Sequence, residues 1–319
     1  MSINLATRDD PRLNHLLQQF CRQEALPVSF CESARCWFLP LADAIAQRHR
    51  LNGRPLLIGI NGCQGSGKST LAALLATLLP SVFALRTAVV SIDDFYFTRA
   101  ERQQLAEHVH PLLATRGVPG THDMGLMQKI LIELRAGDSE VKIPRFDKSQ
   151  DDRADVAHWQ TFMAPVDVVI VEGWCIGVAS QTEEALVVPV NLLEAEDDVA
   201  GCWRRYVNDT LAREYRPVFD QLDLLLMLRA PSFDCVHQWR VEQERRLAQR
   251  LGVKIGDHRL MSAADIMQFI QHYQRLTEHA LVTLPAQSDL VFQLDAARSI
   301  TGLIGPLTGP LSESLSESC

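Results

Sequence analysis

The chain has 319 residues, 47% of them apolar and 22% charged, with a net charge of −8. At roughly 150 residues per domain it has room for one large α/β domain or two smaller ones, and its composition excludes a disordered, collagen-like or fibrous chain. An excess of 39 acidic over 31 basic side chains repels phosphate backbones and anionic bilayers, so no nucleic-acid or membrane partner is expected. The longest apolar runs, around Leu56–Ile60 and Leu224–Leu228, are strand-sized and far short of the ~20 residues of a membrane span. The opening MSINLATRDD lacks the basic and apolar regions of a secretory leader, which predicts a cytoplasmic location. Eight cysteines without a C-x-x-C pair argue against a zinc ribbon or a disulfide framework.

Residues 11–50 read as helical, with Pro11 suited to a first turn and Leu13, Leu16, Leu17 and Phe20 at helix spacing. This predicts an N-terminal helical extension over residues 1–53, packed on a core of residues 54–300 and followed by a flexible tail at 301–319 rich in Gly, Pro and Ser. From Pro55 onward, continuous apolar runs alternate with helical patterns. Five strands are predicted at Leu56–Asn61, Ala88–Ile92, Val166–Glu172, Asp223–Leu228 and Leu290–Leu294. Helices are predicted at Lys68–Leu79, Asp123–Arg135, Asp198–Phe219, Phe233–Leu251 and Ser262–Leu284. That alternation is the plan of a doubly wound α/β fold with a parallel sheet covered on both faces. Two stretches interrupt it, His108–Asp123 and Pro144–Trp159. Loops of this length and polarity act as lids or binding segments.

Gly62-Cys63-Gln64-Gly65-Ser66-Gly67-Lys68-Ser69 fits G-x-x-x-x-G-K-[ST] in full and stands between a buried strand and a helical run. The glycines let successive backbone N–H groups turn toward phosphate oxygens, and the following helix adds its positive end. Lys68 is assigned to the β and γ phosphates, Ser69 to Mg²⁺ and Thr70 to the α phosphate. Cys63 is either a redox-sensitive thiol or, more simply, a small residue in a tight loop.

The second strand runs into Asp93-Asp94-Phe95-Tyr96, which places two carboxylates at the ligand-binding edge of such a sheet. A kinase acting on an alcohol needs a carboxylate to orient the hydroxyl and take its proton, and Asp93 is the candidate. Asp94 has a supporting or helix-capping role. The third strand, Val168-Val169-Ile170-Val171, ends in Glu172-Gly173, a pattern like a Walker B carboxylate that holds Mg²⁺ through water. Basic residues gather in the interrupting loops. Arg116, Arg145, Lys148 and Arg153 can clamp an anionic acceptor, with Asp94, Tyr96 and His122 beside them. Arg240, Arg245, Arg246 and Arg250 lie on the helix after the fourth strand, where a lid arginine, Arg240 foremost, closes over the transferring phosphate, or pairs with Glu244 one turn on.

Taken together, GCQGSGKST, SIDDFYFT, TRGVPGTHD, IPRFDKSQDDR, VVIVEGWCIG, WRRYVN and APSFDCVHQWRVEQE resemble the D-glycerate 3-kinase family of P-loop kinases, relatives of uridine kinase, pantothenate kinase and phosphoribulokinase. The resemblance runs from about Pro55 to Leu294. It implies a five-stranded parallel sheet, ATP with Mg²⁺ as donor, and a small hydroxylated acid as acceptor. It also implies that Lys68, Ser69 and Thr70 serve phosphate and metal, that Asp93 is the base, and that Glu172 lies beside the metal. A kinase for a nucleoside, pantothenate or a sugar is the alternative within the class. A P-loop switch or ATPase without an acceptor is disfavoured, since neither N-K-x-D nor L-S-G-G-Q occurs.

Overall fold

The computed structural model describes residues 10–251 and 262–307. In chain order the strands are β1 (Leu56–Gly62), β2 (Thr87–Ser91), β3 (Glu140–Ile143), β4 (Phe146–Asp147), β5 (Asp152–Arg153), β6 (Gln160–Met163), β7 (Val168–Gly173), β8 (Leu224–Arg229), β9 (Leu290–Leu294) and β10 (Ile300–Ile304). Six of them form the central sheet in the order β10-β9-β8-β1-β7-β2. Its first five strands in sequence pair in parallel, and β10 runs antiparallel along β9. Every residue of β1 and β7 is buried, as the unbroken apolar runs require of strands covered on both faces. This is the α/β architecture of the P-loop kinases.

Three aspects of the helices and the central sheet differ from the sequence expectation. The sheet has a sixth strand, because Ile300–Ile304 is not tail: Ile300 and Leu303 pack on the core beside β9. A half-exposed edge strand containing Gly302 lacks the apolar run that marks an inner strand. Residues 308–319 lie outside the described residues. The single helix expected over Asp198–Phe219 is divided into Cys202–Thr210, a wide turn at Leu211–Tyr215, and Arg216–Phe219. Pro217, which has no N–H for the helical ladder, sits in the first turn of the last piece. A further helix, Arg99–His108, starts from a reciprocal cap between Thr98 and Glu101.

Asp10 caps the Pro11–Gln23 helix, which buries Leu13, Leu17, Phe20 and Cys21 along one face. With the Leu39–Asn52 helix it covers one side of the sheet, in a core shared with Leu56, Ile58 and Ile60. Phe38 meets Phe292 of β9 edge-on at 5.5 Å between ring centres. Among the described residues no helix is long and apolar enough to cross a membrane. Register sets the functional edge. Glu172 lies level with Ile60 of β1 and Ser91 of β2, so the loop after β1, the turn after β2 and the end of β7 meet at the C-terminal rim of the sheet.

Candidate active site

The loop after β1 turns through left-handed backbone at Gly65 (φ +81°) and Gly67 (φ +96°), a conformation that favours glycine. A Cβ on Gly65 would lie 2.6 Å from Cβ of Trp239. Glycine therefore allows the Phe233–Leu251 helix to pack directly on the loop. The Lys68–Phe83 helix begins at Gly67, with Lys68, Ser69 and Thr70 in its first turn and its N–H groups open to an anion. The Ser66 hydroxyl is buried in the loop without a hydrogen-bond partner. Burial pushes the Cys63 thiol up to about 12. It stays protonated and packs as a small apolar residue.

Ser69 donates its hydroxyl to Oε1 of Glu172 at 3.0 Å, and Lys68 Nζ lies 3.9 Å from Oε2. Oε2 is buried and accepts no hydrogen bond. A hydroxyl and a carboxylate side by side, one oxygen of the latter unsatisfied, form the hard oxygen pair that fits Mg²⁺, which takes its remaining ligands from water and phosphate.

The turn after β2 separates its two carboxylates by role. Asp93 accepts from Lys148 Nζ at 2.7 Å on Oδ2 and from the Tyr96 hydroxyl at 3.0 Å on Oδ1. Burial opposes its ionisation, but Lys148 and Lys68 outweigh burial and hold the carboxyl well below the usual range. Asp94 turns the other way. It accepts from the Phe146 N–H and from Arg145, both at 3.0 Å, and burial raises its pKa. Asp94 anchors the loop, while Asp93 is turned toward Lys148 and within the field of Lys68.

Within the stretch expected to be loop, β4 and β5 form a small hairpin pinned from several directions. Arg102, fully buried, donates to the carbonyls of Phe97 and Asp151 and to the Asp151 carboxylate. Arg116 pairs with the same carboxylate, and both guanidiniums lie over the Phe146 ring, at 5.5 and 5.3 Å. Arg153 donates to the Tyr96 carbonyl at 3.0 Å and sits 3.6 Å from Asp123. Arg145 also reaches Gln160 at 2.7 Å. Arg116, Arg145 and Arg153 thus hold the loops together. Lys148 is the cation brought onto Asp93.

His122 is fully buried, stacks on Tyr96 at 4.4 Å and meets the Tyr215 hydroxyl at 2.7 Å through Nδ1. Burial lowers its pKa to about 3 against the pull of Asp93, so it is a neutral ring packed behind Tyr96. The Tyr215 hydroxyl also accepts the Gly120 N–H at 3.0 Å. Tyr273 donates to the Arg116 carbonyl at 3.3 Å, and Trp174 Nε1 donates to the Gly117 carbonyl at 3.0 Å. Arg240 pairs with Glu244 at 2.7 Å on the helix after β8. Arg245 on that helix is exposed, and the side chains of Arg246 and Arg250 lie outside the described residues. Sequence reasoning missed Arg102, Trp239, Tyr215, Tyr273 and Arg298. Of these, Arg102 reads as an ordinary charge on a polar helix, and Arg298 stands beside the expected tail.

A P-loop, the Ser69–Glu172 pair and an aspartate held by Lys148 and Tyr96 meet at one edge of the sheet. The model of the phosphoribulokinase/uridine kinase family matches residues 57–216. The chain belongs to that family. A Schizosaccharomyces pombe protein described as the uncharacterized kinase mug58 is 36% identical over 231 residues, covering 69% of this chain and 79% of its own. The chloroplastic D-glycerate 3-kinase of Arabidopsis thaliana is 30% identical over 243 residues, or 73% of this chain, which spans about half (49%) of that relative. Among solved structures, D-glycerate 3-kinase from Cryptococcus neoformans superimposes with a TM-score of 0.67 at 26% identity, covering 84% of this chain and 97% of that one. As a kinase of this family the chain is a phosphotransferase, and the P-loop implies ATP as donor.

Proposed function

We propose that this kinase transfers the γ-phosphoryl group of ATP to the 3-hydroxyl of D-glycerate. The observation that carries this reading is the placement of Asp93: an aspartate held anionic by Lys68 and Lys148, at the sheet edge opposite the phosphate loop and next to an arginine-rich hairpin. The likeness to glycerate kinases from a plant and a fungus supports the choice of acceptor.

In this reading the backbone N–H groups of residues 62–68 and Lys68 hold the β and γ phosphates. Bound Mg²⁺, taken by Ser69 and Glu172, would neutralise charge on the phosphate oxygens. Asp93 orients the acceptor hydroxyl in line with the γ phosphorus and accepts its proton on Oδ2. The new P–O bond forms as the bond to the β-phosphate oxygen breaks, and ADP leaves. Positioning supplies most of the rate for so small an acceptor.

The test is a panel of acceptors, among them D-glycerate, glycerol, uridine and pantothenate, incubated with MgATP, with the phosphorylated product identified by mass. Glycerate should be used far better than glycerol. Equal use of the two removes the carboxylate from the argument, and a preference for uridine makes the protein a nucleoside kinase.

A further inference from the structure

We infer that Lys148 is a substrate-displaced latch on the base: the carboxylate of the acceptor draws its ammonium off Asp93, so that an anionic acceptor uncovers the oxygen that receives the hydroxyl proton. The inference rests on the reading of Asp93 as base and deepens it into a rule of selectivity.

Both oxygens of Asp93 are engaged, by unlike partners. Oδ1 takes the hydroxyl of Tyr96, a ring that is 3% exposed, stacked on His122 and edge-on to Phe146 at 5.2 Å. That partner is fixed by packing. Oδ2 takes Lys148 at 2.7 Å, and the Lys148 side chain is 60% exposed on a flexible four-carbon stem. Of the two partners only the ammonium is free to leave, so the acceptor hydroxyl that gives its proton to Asp93 takes the place of Lys148 on Oδ2.

The hairpin that carries Lys148 is not itself free to swing. Its first strand is tied to Asp94 by the Phe146 N–H and Arg145, and its second to the Arg99 N–H by Asp152 at 3.0 Å. Arg102 and Arg116 grip Asp151 at the turn. The turn is also closed internally, since Ser149 donates its N–H to Asp147 at 2.9 Å. What can move is the side chain alone. Among the described residues Asp93 is the carboxylate with which Lys148 pairs, so a carboxylate arriving within the reach of its stem exchanges one charge-assisted hydrogen bond for another. A neutral alcohol offers nothing in exchange and meets a covered base. Once Lys148 has moved, Lys68 still acts on Asp93 and opposes the effect of burial on its carboxylate.

The experiment compares the full-length wild type with K148M and K148R, using glycerate and glycerol as acceptors at saturating MgATP. In K148M, kcat/KM for glycerate should fall about 10–100-fold, the range of a lost charge-assisted hydrogen bond. For glycerol it should rise, because the base is uncovered. K148R should recover most of the preference for glycerate, and KM for ATP should stay within about threefold, because the latch acts on the acceptor and not on the phosphate loop. A parallel fall for both acceptors, or an unchanged ratio between them, overturns the latch. If the wild type instead phosphorylates a nucleoside and not glycerate, the glycerate reading fails by itself. The latch is then judged on that neutral acceptor: faster use by K148M upholds it, and equal or slower use overturns it.

Discussion

Arg298 donates its Nε hydrogen to the backbone carbonyl of Gly65 at 2.7 Å, while its guanidinium lies 5.2 Å over the Trp239 ring and pairs with Glu242 at 2.5 Å. The turn between β9 and β10 therefore braces the phosphate loop from behind. Trp239 closes the same joint, its Nε1 donating to the Ala296 carbonyl at 2.8 Å. Replacing Arg298 by Ala removes a charge-assisted bond to one loop carbonyl, a change of roughly 1.5–3 kcal/mol in the loop's preference for its present shape. KM for ATP should rise by about tenfold or more with kcat less affected, and Arg298→Lys should recover part of the loss. Initial rates against ATP concentration decide it, and an unaltered KM would show that the loop keeps its shape without the brace.

Glu172→Gln keeps the size of the side chain and its capacity to accept from Ser69, but removes the charge beside the buried Oε2. The Mg²⁺ concentration for half-maximal rate should increase about tenfold or more, as loss of a carboxylate ligand implies. Titration of activity with Mg²⁺ at fixed ATP measures it. A curve superimposable on that of the wild type would remove Glu172 from the metal site.

Asp93→Asn should lower kcat by about 10²–10⁴-fold, the usual worth of general-base assistance, with KM for ATP within a few fold. Nucleotide affinity is read separately by calorimetry. Lost nucleotide binding with a normal kcat at saturation would make Asp93 a metal or structural residue instead.

The buried histidine predicts a dependence of stability on pH. The folded pKa of His122, about 3, lies below its ordinary value of 6.5, so between those limits the unfolded chain binds more protons than the folded one and stability rises with pH. The contribution of His122 is complete above about pH 6.5 and is lost as the pH falls toward 3. His272 and His279, whose pKa values burial also lowers, act in the same sense. Asp93, with its pKa depressed, likewise favours the folded state above the ordinary carboxylate range and loses that contribution in acid. Tm should decline from pH 7 to pH 4.5, and His122→Gln should show a shallower decline. Parallel slopes in the two proteins would exclude His122 as a source.

Much of this molecule is local in the chain and was legible there. The phosphate loop is an eight-residue motif, Gly62–Ser69, that runs from the end of β1 into the first turn of the next helix, and its chemistry follows from glycine conformations and a helix N-terminus that need no distant partner. The position of Glu172 was legible because the buried strand β7 carries it to the C-terminal edge of the sheet, and that of Asp93 because it lies in the turn directly after β2. The five parallel strands were legible as apolar runs, most fully in β1 and β7, where burial on both faces leaves no exposed position. What the sequence could not decide was which charges meet. Arg102 looks like any arginine on a polar helix until the hairpin turn 49 residues away closes on it, and Arg298 reaches a loop 233 residues earlier in the chain. The same holds for the loop cations. Composition placed Arg116, Arg145, Lys148 and Arg153 near one another, but only the hairpin's register gave Asp151, Asp94 and Asp123 to the arginines and Asp93 to Lys148. Ion pairing depends on distances of a few ångströms between side chains remote in sequence, and those distances are set by the packing of the whole domain.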